Sequence, residues 1–426
     1  MSLQYKHLIK VEGEGIDKKT GLQTNNNKYY QMQENANGTF TATYGRVGAT
    51  KPATEIYPMS KWDAKLKEKL GPRKNYQDVT HLMAVTKQNS NTTVAEIHKI
   101  PAIVALIQKL QEAANVVVAQ QYLVKSDQVT QAQIDEAQKS VNNLSNSFKN
   151  YFGKKEWSIE RYNDELKKLF RTIPRKMKSV VDHLVTATTT KEQIQAQIDE
   201  EQQTLDAMAG QVVTNTATNA ADTDNDPSKN QTLLDKMGLE MGIVDAKEFE
   251  MLKKMLDYHG NRLQAAFKVK NRRTQAAFDK NYAAAPATKK KTQLFFHGSR
   301  SQNWIFILEQ GLKIRPSGAV HTGSMFGDGV YFADDADKSL GYTDNGRWVN
   351  GKAHGSVYMG VYKVRVGNQK ILGGGDYGTS NLHRTIDKNT FCSVYAQKGN
   401  QGLRKSEFII YNHDQSTIEY LLQIKA

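Results

Sequence analysis

Between Tyr5 and Val47 apolar and polar residues alternate in three short runs, YKHLIKVE, NKYYQMQE and TFTATYGRV, the last entered through Asn37-Gly38. A period of two with turn residues between predicts strands. A short basic helix is expected from about Ser60 to Leu70, stopped by Gly71-Pro72. From about Thr93 the period changes. Ile100, Ile103, Val104, Ile107 and Leu110 recur at helical spacing, as do Leu166, Leu169, Phe170 and Ile173 before Pro174, and Ile194, Ile198, Leu205 and Met208. Gly210 to Asn230 is polar and poor in large apolar groups, which predicts an exposed linker and a domain boundary. Beyond it, Asp245 and Glu248 form a capping box for a helix with Phe249, Leu252 and Leu256 on one face and Gly260 at its exit. Strand patterns then dominate in QLFFHGS, GVYFAD, SVYMGVYKVRV, EFIIYN and IEYLLQIK. The expectation is a multidomain chain: a small β-rich domain with a helix over 1–85, an all-α bundle over 93–215 and an α+β domain over 231–426.

The length of 426 residues agrees with two or three cores. A formal charge of +14 biases the surface toward polyanions, DNA, RNA or anionic lipid, without choosing among them. No uninterrupted apolar run approaches the roughly 20 residues of a membrane span. The start MSLQYKHLIK lacks a signal-peptide core, so neither membrane insertion nor secretion is expected. The single cysteine, Cys392, can form no internal disulfide and no zinc cluster, which fits a reducing, intracellular compartment and a small buried side chain. Lys289-Lys290-Lys291 reads as a solvated charge run.

Two glycine-rich pieces resemble phosphate loops superficially. Gly346 to Ala353 has Walker-like spacing, but Ala353 lacks the magnesium-binding hydroxyl and no strand-loop-helix context surrounds it, so a surface loop is expected. Gly373 to Gly378 has no helix after it and reads as a turn. More informative is His297-Gly298-Ser299-Arg300 at the end of an apolar strand, with a glycine that permits close approach to the backbone. About thirty residues on comes GSMFGDGVYFADDADKS, carrying Tyr331, Lys338 and Ser339, with Tyr342 close behind. Near the C-terminus Glu407 starts the apolar strand EFIIYN, and a carboxylate at the mouth of a buried strand is costly unless partnered.

HGSR, MFGDGVYFAD, DKS and SEFIIYN, in this order, resemble the catalytic domain of the poly(ADP-ribose) polymerases, whose signature is a His, Tyr, Glu triad on an ADP-ribosyltransferase fold. The resemblance implies an enzyme that consumes NAD+, releases nicotinamide without a metal, and attaches ADP-ribose to Glu, Asp or Ser side chains of proteins or of itself. Whether it makes single units or polymer stays open. It assigns the triad to His297, Tyr331 and Glu407. His297 would bond the adenosine ribose, while the Gly298 backbone and the Ser339 hydroxyl would bond the nicotinamide amide. Tyr342 would stack on the nicotinamide ring and Tyr331 would line its other side. Ser299 and Arg315 would contact the adenosine half, and Lys338 would lie beside Glu407. Asp328 stands where the family often has lysine. Breaking the bond between ribose and nicotinamide develops positive charge on the sugar, so a carboxylate at Glu407 would stabilise the transition state more than the ground state.

Asn27-Lys28-Tyr29-Tyr30-Gln31 followed by Tyr44-Gly45-Arg46-Val47-Gly48 resembles a WGR domain, with Tyr44 in place of the name-giving tryptophan. Lys65 to Val79 fits its basic helix and tail. The resemblance implies binding to DNA ends and nicks, often 5′-phosphorylated, with Tyr44, Arg46, Lys69, Arg73 and Lys74 as contacts. KIPAIVALIQKL, DELKKLFRTIP and KEQIQAQIDEEQQTLDAM resemble the family's helical regulatory domain. Together these imply a DNA-break-activated enzyme of DNA repair, in the nucleus of a eukaryote or the cytoplasm or nucleoid of a bacterial or viral setting. Two other readings are an inert DNA-end scaffold, against which the intact triad argues, and a transferase that modifies nucleic-acid ends.

Overall fold

The computed structural model describes residues 3–13, 24–82, 96–219, 231–314, 325–346 and 355–426. The three alternating runs form β1 (Tyr5–Glu12), β2 (Asn26–Glu34) and β3 (Thr39–Arg46), joined by β4 (Ala53–Pro58) and β5 (Gln77–Asp78) in an antiparallel sheet of order β4-β3-β2-β1-β5. Alternation gathers Leu8, Tyr30, Met32, Phe40 and Ala42 into one core. The expected basic helix, α1 (Trp62–Leu70), closes it with Trp62, whose ring stands edge-on to Phe40.

The helical stretch holds α2 (Pro101–Gln121), α3 (Gln131–Tyr151), α4 (Ile159–Thr172) and α5 (Lys191–Asn219). Thr130 and Gln133 cap α3 reciprocally, and the Ser158 hydroxyl caps α4. Their buried stripes, Ile134, Val141, Leu144 and Phe148 against Tyr162, Leu166 and Phe170, follow the helical period.

The linker expected from Gly210 does not begin there. Residues 210–219 continue α5 because Val212 follows the buried Met208, and Ala217 follows Val213, at i+4, with Val212 and Ala217 buried, and the hydroxyls of Thr214 and Thr216 donate to the carbonyls of Gly210 and Val212. The remainder, 220–230, lies outside the described residues, as does 347–353 of the expected surface loop.

The chain divides into two compact units, 1–89 with 117–208 and 90–116 with 209–426. The reason lies in the C-terminal unit's core. Ile103, Leu106, Ile107 and Leu110 of α2 and Ala217 of α5 are buried together with Trp304, Tyr362 and Leu421. By length and composition α2 is apolar enough to cross a membrane, but this stripe is core.

In the C-terminal unit follow α6 (Leu233–Lys236), β6 (Leu239–Ile243), α7 (Ala246–Met255) with the expected Asp245–Glu248 capping box, β7 (Leu263–Asn271), α8 (Arg272–Ala284), β8 (Thr292–Gly298), α9 (Trp304–Gln310), β9 (Val330–Phe332) and α10 (Ala336–Leu340). Then come β10 (Ser356–Arg365), β11 (Gln369–Leu372), α11 (Leu382–Thr385), β12 (Ser393–Ala396), β13 (Glu407–Ile410) and β14 (Ser416–Lys425). Two sheets, β6-β7-β14-β10-β8 and β11-β12-β13-β9, make this the expected α+β region. Gly373 to Gly378 is a turn, as expected, whose first amide donates to Asp376 at 2.7 Å. The sheets meet where Phe296 and Ala333 exchange backbone hydrogen bonds of 2.8 and 3.1 Å. That junction brings the end of β8 beside β9, and β9 is paired with β13.

Candidate active site

β8 ends on His297-Gly298, with His297 opposite Gly360 of β10. The His297 Nδ1–H donates to the Tyr331 carbonyl at 2.9 Å, which leaves Nε2 as the acceptor. Burial pushes this imidazole below its ordinary pKa, so the ring is neutral near pH 7. Tyr331 faces Ile409 across the β9–β13 pair. Its hydroxyl donates to the Gly327 carbonyl at 2.7 Å and accepts from the Phe326 amide at 3.0 Å, so it is committed to its own turn and the ring remains to line the site.

Glu407 opens β13 and is 3% exposed. One oxygen, Oε1, forms an ion pair with Lys338 of α10, while Oε2 has no hydrogen-bond partner among the described residues. Burial pushes the carboxyl above its ordinary range, and the charge and hydrogen bond of Lys338 pull it partly back. The Tyr342 hydroxyl is pushed up to about 12, by burial first and then by the charge of Glu407. Ser339, on α10 beside Lys338, is buried.

Gly298 packs directly on that helix. A Cβ at this position would overlap the Ser339 carbonyl oxygen, so the glycine expected from ligand approach is already required by α10. The Ser299 hydroxyl accepts from Asn303 at 3.1 Å and its carbonyl accepts from the Trp304 indole at 3.3 Å. Arg315 lies outside the described residues.

Three supporting groups escaped the sequence reading. The Tyr411 hydroxyl donates to the Phe326 carbonyl at 2.5 Å, bracing the turn that Tyr331 also holds. Tyr411 stands four residues after Glu407 and continues its face, an alternation present in EFIIYN. His383 of α11 lies 3.1 Å from the Asp328 carboxylate, a pairing across 55 residues with no local signal. Asp344 accepts from the Ser301 amide at 2.9 Å, tying the loop after β8 to the turn after α10.

In the N-terminal unit Tyr44 stacks on Tyr30 with centroids 5.5 Å apart, and the Lys69 ammonium sits 4.1 Å over Tyr30 and 5.9 Å from Tyr44. Tyr44 also donates to Glu55 at 2.5 Å. Arg73 is exposed and Lys74 half-buried. Arg46 does not join this group. Its guanidinium donates to the carbonyls of Lys178 at 2.8 Å, Met177 at 3.4 Å and Asn25 at 3.3 Å.

Residues 246–426 match the poly(ADP-ribose) polymerase catalytic domain. The chain is 40% identical over 148 residues to the poly [ADP-ribose] polymerase-like protein 100L of Invertebrate iridescent virus 6, covering 34% of this chain and 77% of that protein. It is 29% identical over 207 residues to poly [ADP-ribose] polymerase 2 of Arabidopsis thaliana, covering 42% of this chain and 32% of the plant protein. The match to poly [ADP-ribose] polymerase 1 of Xenopus laevis is 32% over 154 residues, 31% of this chain and 15% of the frog protein. With the buried glutamate, the histidine and the tyrosine held together at one sheet junction, the chain belongs to the poly(ADP-ribose) polymerase family and is an NAD+ ADP-ribosyltransferase.

Proposed function

We propose that the enzyme transfers ADP-ribose from NAD+ to protein side chains, its own included, and that engagement of a DNA strand break by the N-terminal module raises its rate. The observation that carries the transfer reading is Glu407, buried, with one oxygen on Lys338 and the other without a partner among the described residues. That second oxygen suits a hydroxyl of the nicotinamide ribose, which would orient the sugar and place negative charge beside the carbon that becomes cationic. His297 Nε2 suits an adenosine ribose hydroxyl, the rings of Tyr342 and Tyr331 suit a flat leaving group, and Gly298 with Ser339 suits its amide.

The DNA reading draws on Tyr44 and Lys69, half-buried and both set against the buried Tyr30 ring, which suit a sugar or base with its phosphate. On this reading 1–85 is a WGR module, 93–215 a helical regulator and 231–426 the catalytic domain. The test is nicotinamide release from NAD+ with and without nicked, 5′-phosphorylated duplex. Activation of about tenfold would correspond to about 1.4 kcal/mol of preference of DNA for the active state. No change on adding duplex would remove DNA from the account.

Lys69→Ala is expected to weaken duplex binding and to lower the slope of log affinity against log salt by about one. Titration at several salt concentrations measures it, and an unchanged slope would place the DNA contact elsewhere. Arg46→Ala should cost less affinity than Lys69→Ala, because its donors are already engaged by backbone carbonyls.

A further inference from the structure

α10 and β13 carry the pair Lys338–Glu407, and they are tied a second time at their margins. Lys405 Nζ donates to Asp335 Oδ2 at 2.5 Å. Asp335 is the N-cap of α10, and its other oxygen accepts from the Asp337 amide at 3.0 Å. The two ion pairs run in opposite senses. The helix offers an acid and then, three residues on, a base, while the strand and its approach offer a base and then, two residues on, an acid. A helix of five residues has no stability of its own, so ties and packing decide where it sits. A third contact acts at the same end. His259 Nδ1 must accept from Arg262, which has only donors, at 3.0 Å, and this turns the His259 Nε2–H toward Asp337 at 3.6 Å.

We infer that Lys405 and Asp335 are positioning residues for the transferase reaction: their pair fixes α10 against β13 and so keeps Lys338 on Glu407. The inference rests on the reading of Glu407 as the catalytic carboxylate. An ion pair as exposed as this one, with side chains 34% and 31% exposed, contributes about 0–1 kcal/mol to folding, so its loss should show in the reaction and not in stability. Its signature is a pH profile. The titratable groups facing Glu407 among the described residues are Lys338 from α10, Tyr342 after it and Tyr331 from β9. Burial raises the Glu407 carboxyl and Lys338 lowers it, so a loosened Lys338 lets it rise further and moves the acid limb of kcat to higher pH.

The experiment compares Lys405→Ala, Asp335→Asn, the double variant, Lys405→Arg and Glu407→Gln in the full chain. Asparagine keeps the cap oxygen at 335 and removes the charge. Expected are kcat losses of up to about fivefold for each single variant, the most that about 1 kcal/mol of positioning can supply, with KM for NAD+ little changed and the acid limb raised by about half a unit. The double variant should be no worse than either single, and Lys405→Arg should restore the wild-type profile. A wild-type kcat and acid limb in Lys405→Ala, or losses that multiply in the double variant, would overturn the inference. Glu407→Gln separates the two claims. If it retains nicotinamide release, the catalytic reading itself fails; if it is inactive while Lys405→Ala behaves as wild type, the positioning claim alone fails.

Discussion

Glu407→Gln is expected to give a folded protein that binds NAD+ and releases nicotinamide about 10²–10³-fold more slowly, a loss of about 3–4 kcal/mol of transition-state stabilisation. The amide keeps the size of the carboxylate and can still meet a ribose hydroxyl, so ground-state binding changes little. What it removes is the charge opposite the developing oxocarbenium ion, an interaction that exists mainly in the transition state. Calorimetric NAD+ affinity alongside single-turnover nicotinamide release separates the two effects. The pH dependence adds a check of sign. The carboxyl is raised by burial and must be ionised to act, so wild-type kcat should fall with acid along a limb lying above the ordinary carboxylate range, and the residual rate of Glu407→Gln should lose that limb. Release unchanged in the variant would remove Glu407 from the chemistry.

Gly298→Ala is expected to cost about 1–3 kcal/mol of stability and most of the activity together. The added methyl would fall on the Ser339 carbonyl oxygen, and main chain cannot yield as a flexible side-chain end can. Either β8 retreats and takes His297 with it, or α10 shifts and takes Lys338 and Ser339 with it. Both outcomes separate groups that must meet on one substrate. Thermal unfolding and NAD+ turnover, measured on the same preparation, test this. A variant of wild-type stability and rate would mean that strand and helix can part without consequence.

Much of this site was legible because its residues break local rules. Glu407 is a carboxylate heading an apolar strand, and Gly298 is a glycine ending one; each signals a special environment from a few neighbours alone. The ties between elements were not legible. Lys405 and Asp335 are 70 residues apart, and His383 and Asp328 are 55 apart, so nothing in either neighbourhood announces its partner. The fold shows the same division. The amphipathic helices α2, α4 and α5 and the capping box of α7 follow from spacing, whereas β11 and β12, four residues each, pair in parallel only through the tertiary fold. Residues 210–219 were misread because threonine and asparagine lower the mean hydropathy of a stretch whose few apolar residues still keep helical register.

The indole of Trp304 is fully buried, and its N–H is bonded to the carbonyl of Ser299, in the loop leaving His297 and Gly298. Of the four tryptophans, Trp62 sits in the N-terminal sheet core and Trp157 among Phe152 and Tyr162. Replacing Trp62, Trp157 and Trp348 by phenylalanine would leave Trp304 as the sole source of indole emission. Its wavelength depends on the dipole it is bonded to, so a shift on titrating NAD+ would report movement of the Ser299 segment in real time. The chain therefore carries its own optical probe, built into the backbone of the segment that the nucleotide is expected to touch.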